Sequence, residues 1–250
     1  MAERINIMGV PVDMVDYEEA LARFRSFVEE DGVSLIVTPN SEIVVNAGKN
    51  EELMEAIKQA EMVIPDGIGL VYASKILGHP LRERVTGIDF LGRALAYLAE
   101  TGKTAFLFGS KPGIAEKAAA RMEQAYPGLK IVGTRNGYFK EEEEEGILRE
   151  INEAAPDLLC VALGSPKQEL FVLKYKDRLK ARAAIGVGGS LDVWSGDLKR
   201  APEFYRKHGL EWLYRFIQEP SRYKRMAALP LFMLKVIFSN KDQVSPQDGD

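Results

Sequence analysis

The stretch DLLCVALGSPKQELFVLKYKDRLK, residues 157–180, decides the fold. Its first eight residues are apolar nearly throughout, the pattern of a strand covered on both faces. The chain then breaks at Gly164-Ser165-Pro166, and over 167–180 apolar residues recur at helical spacing. An apolar strand, a polar glycine loop and a helix together make the repeating piece of a parallel sheet. The same order recurs on both sides. Strands are expected over 34–38, 61–64, 104–109, 130–133 and 183–188, and helices over 41–60, 87–100, 113–126 and 141–154. The spacing therefore predicts an α/β fold with a mainly parallel, Rossmann-like sheet and helices on both faces. The opening segment 5–12, with Gly9-Val10-Pro11, predicts an edge hairpin instead of a core strand.

Composition narrows the function classes. The chain has 250 residues, 46% hydrophobic and 28% charged, with 22 Gly and 12 Pro, which is ordinary globular usage. The single cysteine, Cys160, allows no internal disulfide, and His79 and His208 lack the spacing of a histidine metal site, so a reducing cytosol and no metal centre are expected. The first ten residues do not read as a signal peptide, and no run of about 20 apolar residues is present to cross a bilayer. The net charge of −4 argues against wholesale nucleic-acid binding.

That charge is unevenly spread. Residues 196–239 hold nine Lys and Arg against four acids, a local +5 that leaves −9 elsewhere. Three parts are expected: a Rossmann-like domain over 1–195, a basic and apolar C-terminal appendage over 196–239, and a disordered tail over 240–250. A basic appendage on an acidic body points to an anionic partner such as phosphate or lipid headgroups.

Ligands of open parallel sheets sit beyond the carboxyl ends of the strands. Four loops there are polar or glycine-rich: Thr38-Pro39-Asn40-Ser41-Glu42, Gly109-Ser110-Lys111-Pro112-Gly113, Gly164-Ser165-Pro166-Lys167-Gln168-Glu169, and Gly186-Val187-Gly188-Gly189-Ser190-Leu191-Asp192. The second, containing Ser110, opens a helix. It reads equally as a diphosphate site or as a plain tight turn. Gln168 and Lys167 offer an amide and a cation to sugar hydroxyls or phosphate. The glycines around Gly189 allow close approach of a ligand, with Asp192 following either as a contact or as a helix cap. Asn40 could cap a helix, and Asp66 in Pro65-Asp66-Gly67 could simply make a turn. Thr38, Asn40 and Asp66 nevertheless all stand at strand ends, where a carboxylate set against a hydroxyl suits general-base chemistry. Arg82 and Arg84 follow nearby, able to pair with Asp66 or with phosphate. No DxD pair appears in these loops, which leaves a departing diphosphate to Arg, Lys and helix dipoles.

The motifs T-P-N at 38–40, P-D-G at 65–67, G-S-K-P-G at 109–113, G-x-P-K-Q-E at 164–169 and G-V-G-G-x-x-D at 186–192 resemble, in this fixed order, the WecG/TagA/CpsF glycosyltransferases, glycosyltransferase family 26. The resemblance covers about residues 5–239. It implies metal-independent, inverting transfer of N-acetylmannosamine from a UDP donor to undecaprenyl-diphosphate-linked N-acetylglucosamine. The product is a β-1,4 disaccharide on the lipid, an early step of wall teichoic acid synthesis. Relatives with N-acetylmannosaminuronic acid or glucose donors leave the sugar open. By the same resemblance Asp66 is the base, Thr38 and Asn40 line a sugar pocket, Arg84 and Gln168 assist sugar or diphosphate binding, and Asp192 lies in the donor pocket. Arg215, Arg222 and Arg225 match arginines of an appendage that closes over the site and reaches the membrane. No cofactor is implied.

A lipid-linked acceptor also gives the tail a purpose. Leu229, Leu231, Phe232, Met233, Val236, Ile237 and Phe238 are expected in the membrane interface, with Arg222, Lys224, Arg225 and Lys235 on anionic headgroups. The other reading of this tail is a helix docked on the sheet domain or on a second copy of the chain, a homo-oligomer that masks the apolar face. The expected location is the inner face of the cell membrane, peripherally bound. Two rival functions share the strand-turn-helix pattern: a nicotinamide-dependent oxidoreductase, which needs a GxGxxG that is absent, and a non-catalytic nucleotide-binding adaptor.

Overall fold

The computed structural model describes residues 3–218 and 228–238. Its centre is a six-stranded sheet of β3 (Ser34–Val37), β4 (Met62–Val63), β5 (Thr104–Gly109), β6 (Lys130–Arg135), β7 (Leu158–Ala162) and β8 (Ala183–Gly186). The spatial order is β4-β3-β8-β7-β5-β6, and every neighbouring pair is parallel. Along the strands alternate side chains leave on opposite faces. Leu35, Val37, Phe106, Phe108, Leu159 and Val161 enter one core, while Ile36, Ala105, Leu107, Cys160 and Ile185 enter the other. Both faces are covered, which explains why the strands other than the edge strand β6 read as continuous apolar runs.

The first face is covered by α2 (Ser41–Ala47), α3 (Glu51–Lys58), α7 (Glu144–Ala154) and α8 (Lys167–Tyr175), and the second by α1 (Tyr17–Phe27), α5 (Gly87–Thr101), α6 (Ile114–Ala125) and α9 (Ser190–Trp194). The segment expected as one helix over 41–60 is two. Gly48 ends α2, and Asn50 caps α3 by accepting from the Leu53 N–H at 2.9 Å. Helices α1 and α4 (Ile68–Ile76) are among those that fall outside the expected helix ranges.

The hairpin is present as β1 (Arg4–Ile7) and β2 (Val10–Asp13), paired antiparallel. Fully buried Asp13 pins it to the sheet, accepting from Arg4 Nε at 3.0 Å and from the Val63 N–H at 2.6 Å while pairing with Arg23 at 3.1 Å. That cluster ties hairpin and α1 to β4, the strand that leads into Asp66. Breaking such a buried pair by removing one partner typically costs about 3–5 kcal/mol.

After Trp194 the chain continues through α10 (Glu203–Lys207), α11 (Glu211–Gln218) and α12 (Ala228–Phe238). Helix α12 packs on α2 and α4. Its residues Phe232 and Val236, expected in a membrane interface, are instead buried in the first core at 0% and 1% exposure. Leu231, Leu234, Ile237 and Phe238 on the same helix are exposed. The helix is two-faced because docking on the sheet domain uses one side only. Arg222, Lys224, Arg225 and the tail 240–250 lie outside the described residues, as does the side chain of Arg215.

Candidate active site

All six strands point their carboxyl ends toward one cleft of about 1160 Å³. Thr38, Asn40, Asp66, Arg84, Ser110, Gln168, Gly189 and Asp192 all line it. Residues separated by up to 154 positions in the chain are thus gathered by the parallel topology.

Asp66 enters on an extension of β4. Its N–H donates to the Pro39 carbonyl at 3.1 Å, after Ile64 N–H has donated to Val37 at 2.8 Å, so the loop carrying Asp66 runs beside the loop carrying Asn40. Gly67 follows at φ +94° and ψ 145°, a conformation open to glycine, and a Cβ there would meet Asn40 Cβ at 3.4 Å. The glycine both turns the chain into α4 and lets the two loops approach. Asn40 Oδ1 accepts from the Ile43 N–H at 3.1 Å, capping α2, so its cap role and its position in the cleft coexist.

Thr38 Oγ1 donates to the Gly186 carbonyl at 3.2 Å, bridging β3 to β8. Across the same strand, Gln168 is only 4% exposed. Its Oε1 accepts from the Gly188 N–H at 3.1 Å, and its Nε2 donates to Glu169 Oε1 at 2.8 Å. At the end of β5, Gly109 lies against β7, where a Cβ would come 2.4 Å from the Ala162 carbonyl, so only glycine fits. The next residue, Ser110, donates to Asp192 Oδ2 at 3.3 Å and joins the β5 loop to α9.

Among the described residues the Arg84 guanidinium pairs with Glu211 of α11 and donates to the Arg206 carbonyl at 3.3 Å. Arg82 turns the other way, to Glu19. Glu211 also faces Arg200 at 3.8 Å, and Arg200 donates twice to Asp89, at 2.7 and 2.6 Å. Burial alone would raise the Asp89 pKa, but the Arg200 and Thr86 hydrogen bonds and the Arg200 charge outweigh it and hold the carboxyl below its ordinary value. Tyr17 shifts upward, chiefly through burial. The Thr86 hydrogen bonds oppose that shift, and the Asp89 and Asp66 charges add to it. Through these pairs the two helices α10 and α11 are held at the cleft's rim.

The cleft contains groups that the sequence did not single out. Glu211, Trp212 and Phe216 of α11 form an outer wall, and Tyr138 and Lys140 after β6 form another. Lys111 and Lys167, present in the quoted loops, add cations. The signal for this region was the charge surplus of residues 196–239, which hid the one acid that makes the contact. A smaller cavity of about 790 Å³ behind α5 is lined by Tyr17, Arg93, Arg121 and Trp194 and by none of the residues chosen from the sequence. Among the described residues no group of three or more His, Cys, Asp or Glu is arranged to hold a metal, and no helix is long and apolar enough to cross a membrane. Cys160, fully buried, has its thiol pushed up to about 12 by desolvation, which leaves it a packing residue.

The family model described as Glycosyl transferase WecG/TagA/CpsF family matches residues 5–245. A Bacillus spizizenii protein named N-acetylglucosaminyldiphosphoundecaprenol N-acetyl-beta-D-mannosaminyltransferase is 33% identical over 242 residues, 94% of this chain and 93% of that protein. A Bacillus subtilis protein of the same name is 33% identical over 229 residues, 92% of this chain and 87% of its own. A Staphylococcus aureus protein, again of that name, is 32% identical over 235 residues, covering 93% and 92%.

Proposed function

The chain belongs to the WecG/TagA/CpsF family of glycosyl transferases, and on that premise we propose that it moves N-acetylmannosamine from UDP to the N-acetylglucosamine of an undecaprenyl-diphosphate carrier, with inversion. The relatives' shared name supports the donor sugar and the acceptor. The observation that carries the assignment is the convergence of Thr38, Asn40, Asp66, Arg84, Ser110, Gln168, Gly189 and Asp192 on one cleft.

In this mechanism Asp66 takes the proton from the acceptor hydroxyl as the oxygen attacks the anomeric carbon. The bond from that carbon to the diphosphate breaks on the opposite face, and UDP leaves with the electron pair. One base and one charge sink suffice, and no covalent enzyme intermediate is needed. Thr38 and Asn40, on the loop beside Asp66, hold the sugar at which attack occurs. Arg84, Lys111 and Lys167 supply positive charge to the departing diphosphate, a role that places transfer under metal-independent electrostatic stabilisation. Gln168, Ser110 and Asp192 are assigned to the donor side, with the Gly188-Gly189 backbone in close approach.

The acceptor is lipid-borne, so the cleft must work at a membrane surface. The exposed side of α12, Leu231, Leu234, Ile237 and Phe238, supports peripheral contact there, joined by the basic residues of the appendage. We place the enzyme on the inner face of the membrane. The test is a donor panel: UDP linked to N-acetylmannosamine, N-acetylmannosaminuronic acid, N-acetylglucosamine or glucose, with a short-chain lipid-diphosphate N-acetylglucosamine as acceptor. Transfer from the first, giving a β-1,4 disaccharide, is expected. Preference for another donor would reassign the substrate, and failure of all four would remove the activity.

A further inference from the structure

The G-x-P-K-Q-E loop ends in a residue that the mechanism above leaves unused. Glu169 sits on the first turn of α8 at 1% exposure and does not line the cleft. Its Oε1 accepts from Gln168 Nε2 at 2.8 Å, and its Oε2 is buried without a hydrogen-bond partner among the described residues. A carboxyl in such a place must be occupied with something, because burying one is costly unless it is satisfied or neutral.

What it holds is Gln168, and Gln168 holds the donor-side backbone. The amide's other end accepts from the Gly188 N–H, and its body lies so close to β8 that a Cβ on Gly186 would come 2.4 Å from Nε2. Gly186 in turn receives the Thr38 hydroxyl on its carbonyl. A line of contacts therefore runs from Glu169 through Gln168 and Gly186 to Thr38, crossing the cleft floor from α8 to β3. An amide can be turned over with little change of shape, but only one orientation gives its oxygen to Gly188. An acceptor fixed on the nitrogen side selects that orientation.

We infer that Glu169 is a positioning residue that fixes the orientation of Gln168, and through it the Gly186–Gly188 floor of the cleft, without touching substrate. Burial pushes its carboxyl pKa up, against smaller opposing effects of Gln168, its own backbone and the Ser165 hydroxyl. The consequence for transfer rests on the assignment of Gln168 to substrate binding. The consequence for the Gly188 amide does not.

Two variants separate shape from hydrogen bonding. Glu169→Gln keeps an acceptor oxygen at the same reach; Glu169→Met keeps the volume and removes it. In the full-length protein, the Gly188 amide resonance is followed by NMR, and kcat and KM for UDP-N-acetylmannosamine are measured in wild-type and Gln168→Ala backgrounds. The expected result is that Glu169→Met moves the Gly188 resonance and lowers kcat/KM roughly tenfold or more, since misplacement of about 1 Å in a positioning group costs up to 10²-fold. Glu169→Gln should leave both near wild type, and the Met effect on transfer should vanish once Gln168 is Ala. An unmoved Gly188 resonance in Glu169→Met, equal damage from Gln and Met, or an undiminished loss in the Gln168→Ala background would overturn the inference. A moved Gly188 resonance with full transfer by Glu169→Met and Gln168→Ala would uphold the positioning role and refute the substrate role of Gln168.

Discussion

Replacing Gly186 with Ala puts a methyl group 2.4 Å from Gln168 Nε2 and 2.9 Å from its Cδ. Ordinary contact begins at 3.4 Å, so the amide must retreat by about 1 Å. Gln168 has little room to do so, being 4% exposed and tied at both ends, to Gly188 and to Glu169. Overpacking of this kind costs roughly 1–3 kcal/mol. At about 2–4 °C per kcal/mol for a chain of this size, melting should fall by roughly 2–12 °C. The functional loss should exceed what stability explains. A shift of about 1 Å in a positioning group is worth up to 10²-fold, so kcat/KM for sugar transfer should drop between about 10- and 100-fold at temperatures where the variant is fully folded. The assay pairs thermal unfolding with transfer to a short lipid-diphosphate acceptor. A second change discriminates the cause: Gly186→Ala with Gln168→Ala removes the clash, so stability should recover while activity stays low. Wild-type stability and activity in Gly186→Ala would refute the close packing of β8 on Gln168, and recovery of activity in the double variant would refute a role of Gln168 in substrate binding.

Glu211→Ala frees Arg84 and relieves Arg200 of a neighbouring acid, so UDP should bind more tightly by up to about 5-fold, at the scale of one ion pair. Calorimetric titration showing weaker binding would mean that Glu211 orients the arginines instead of competing with the diphosphate. Because the folded Asp89 pKa lies below its ordinary 3.8, its charge contributes stability above that value and loses the contribution as pH falls through the lowered one. The stability gap between wild type and Asp89→Asn should therefore be flat from about pH 5 to 8 and close below pH 4 in urea unfolding, and a gap that widens in acid would contradict the Arg200 pairing. The two faces of α12 should separate cleanly. Phe232→Ala should cost about 3–5 kcal/mol of stability, whereas Leu234→Asp should leave stability within about 0.5 kcal/mol and weaken binding to anionic vesicles. Equal vesicle binding by Leu234→Asp would remove the exposed face from membrane contact.

The sheet was legible because its strands other than the edge strand β6 are buried on both faces and so spell themselves as apolar runs; Leu158–Ala162 is the clearest. Helix α4 was not, because Ile68–Ile76 is apolar around most of its circumference, sandwiched between the hairpin and α12, and so lacks the polar stripe that marks a surface helix. Helix α1 had a local signal, since Asp16 and Glu19 form a reciprocal capping box, with Glu19 N–H donating to Asp16 at 2.9 Å and Asp16 N–H donating to Glu19 at 3.2 Å. Strand-end loops pointed to Thr38, Asn40, Asp66, Ser110, Gln168 and Asp192 because a parallel sheet sends all such loops to one edge. Glu211 was hidden because a distant pairing across 127 residues leaves no periodicity to read. The buried cluster at Asp13 was equally silent, as nothing in its neighbourhood distinguishes a fully desolvated carboxylate from a solvated one. Helix α12 was half legible: its composition announced an apolar surface, but which side docks is set by α2 and α4.

The central claim is that the Asp66 carboxylate receives the acceptor's proton. Asparagine at that position keeps the size and loses the base. With Asp66→Asn, UDP affinity measured by calorimetry should stay within about threefold of wild type while the rate of disaccharide formation falls by about 10²–10⁴, the range that a general base supplies. Transfer by Asp66→Asn within a few-fold of wild type, with UDP bound as before, would contradict it.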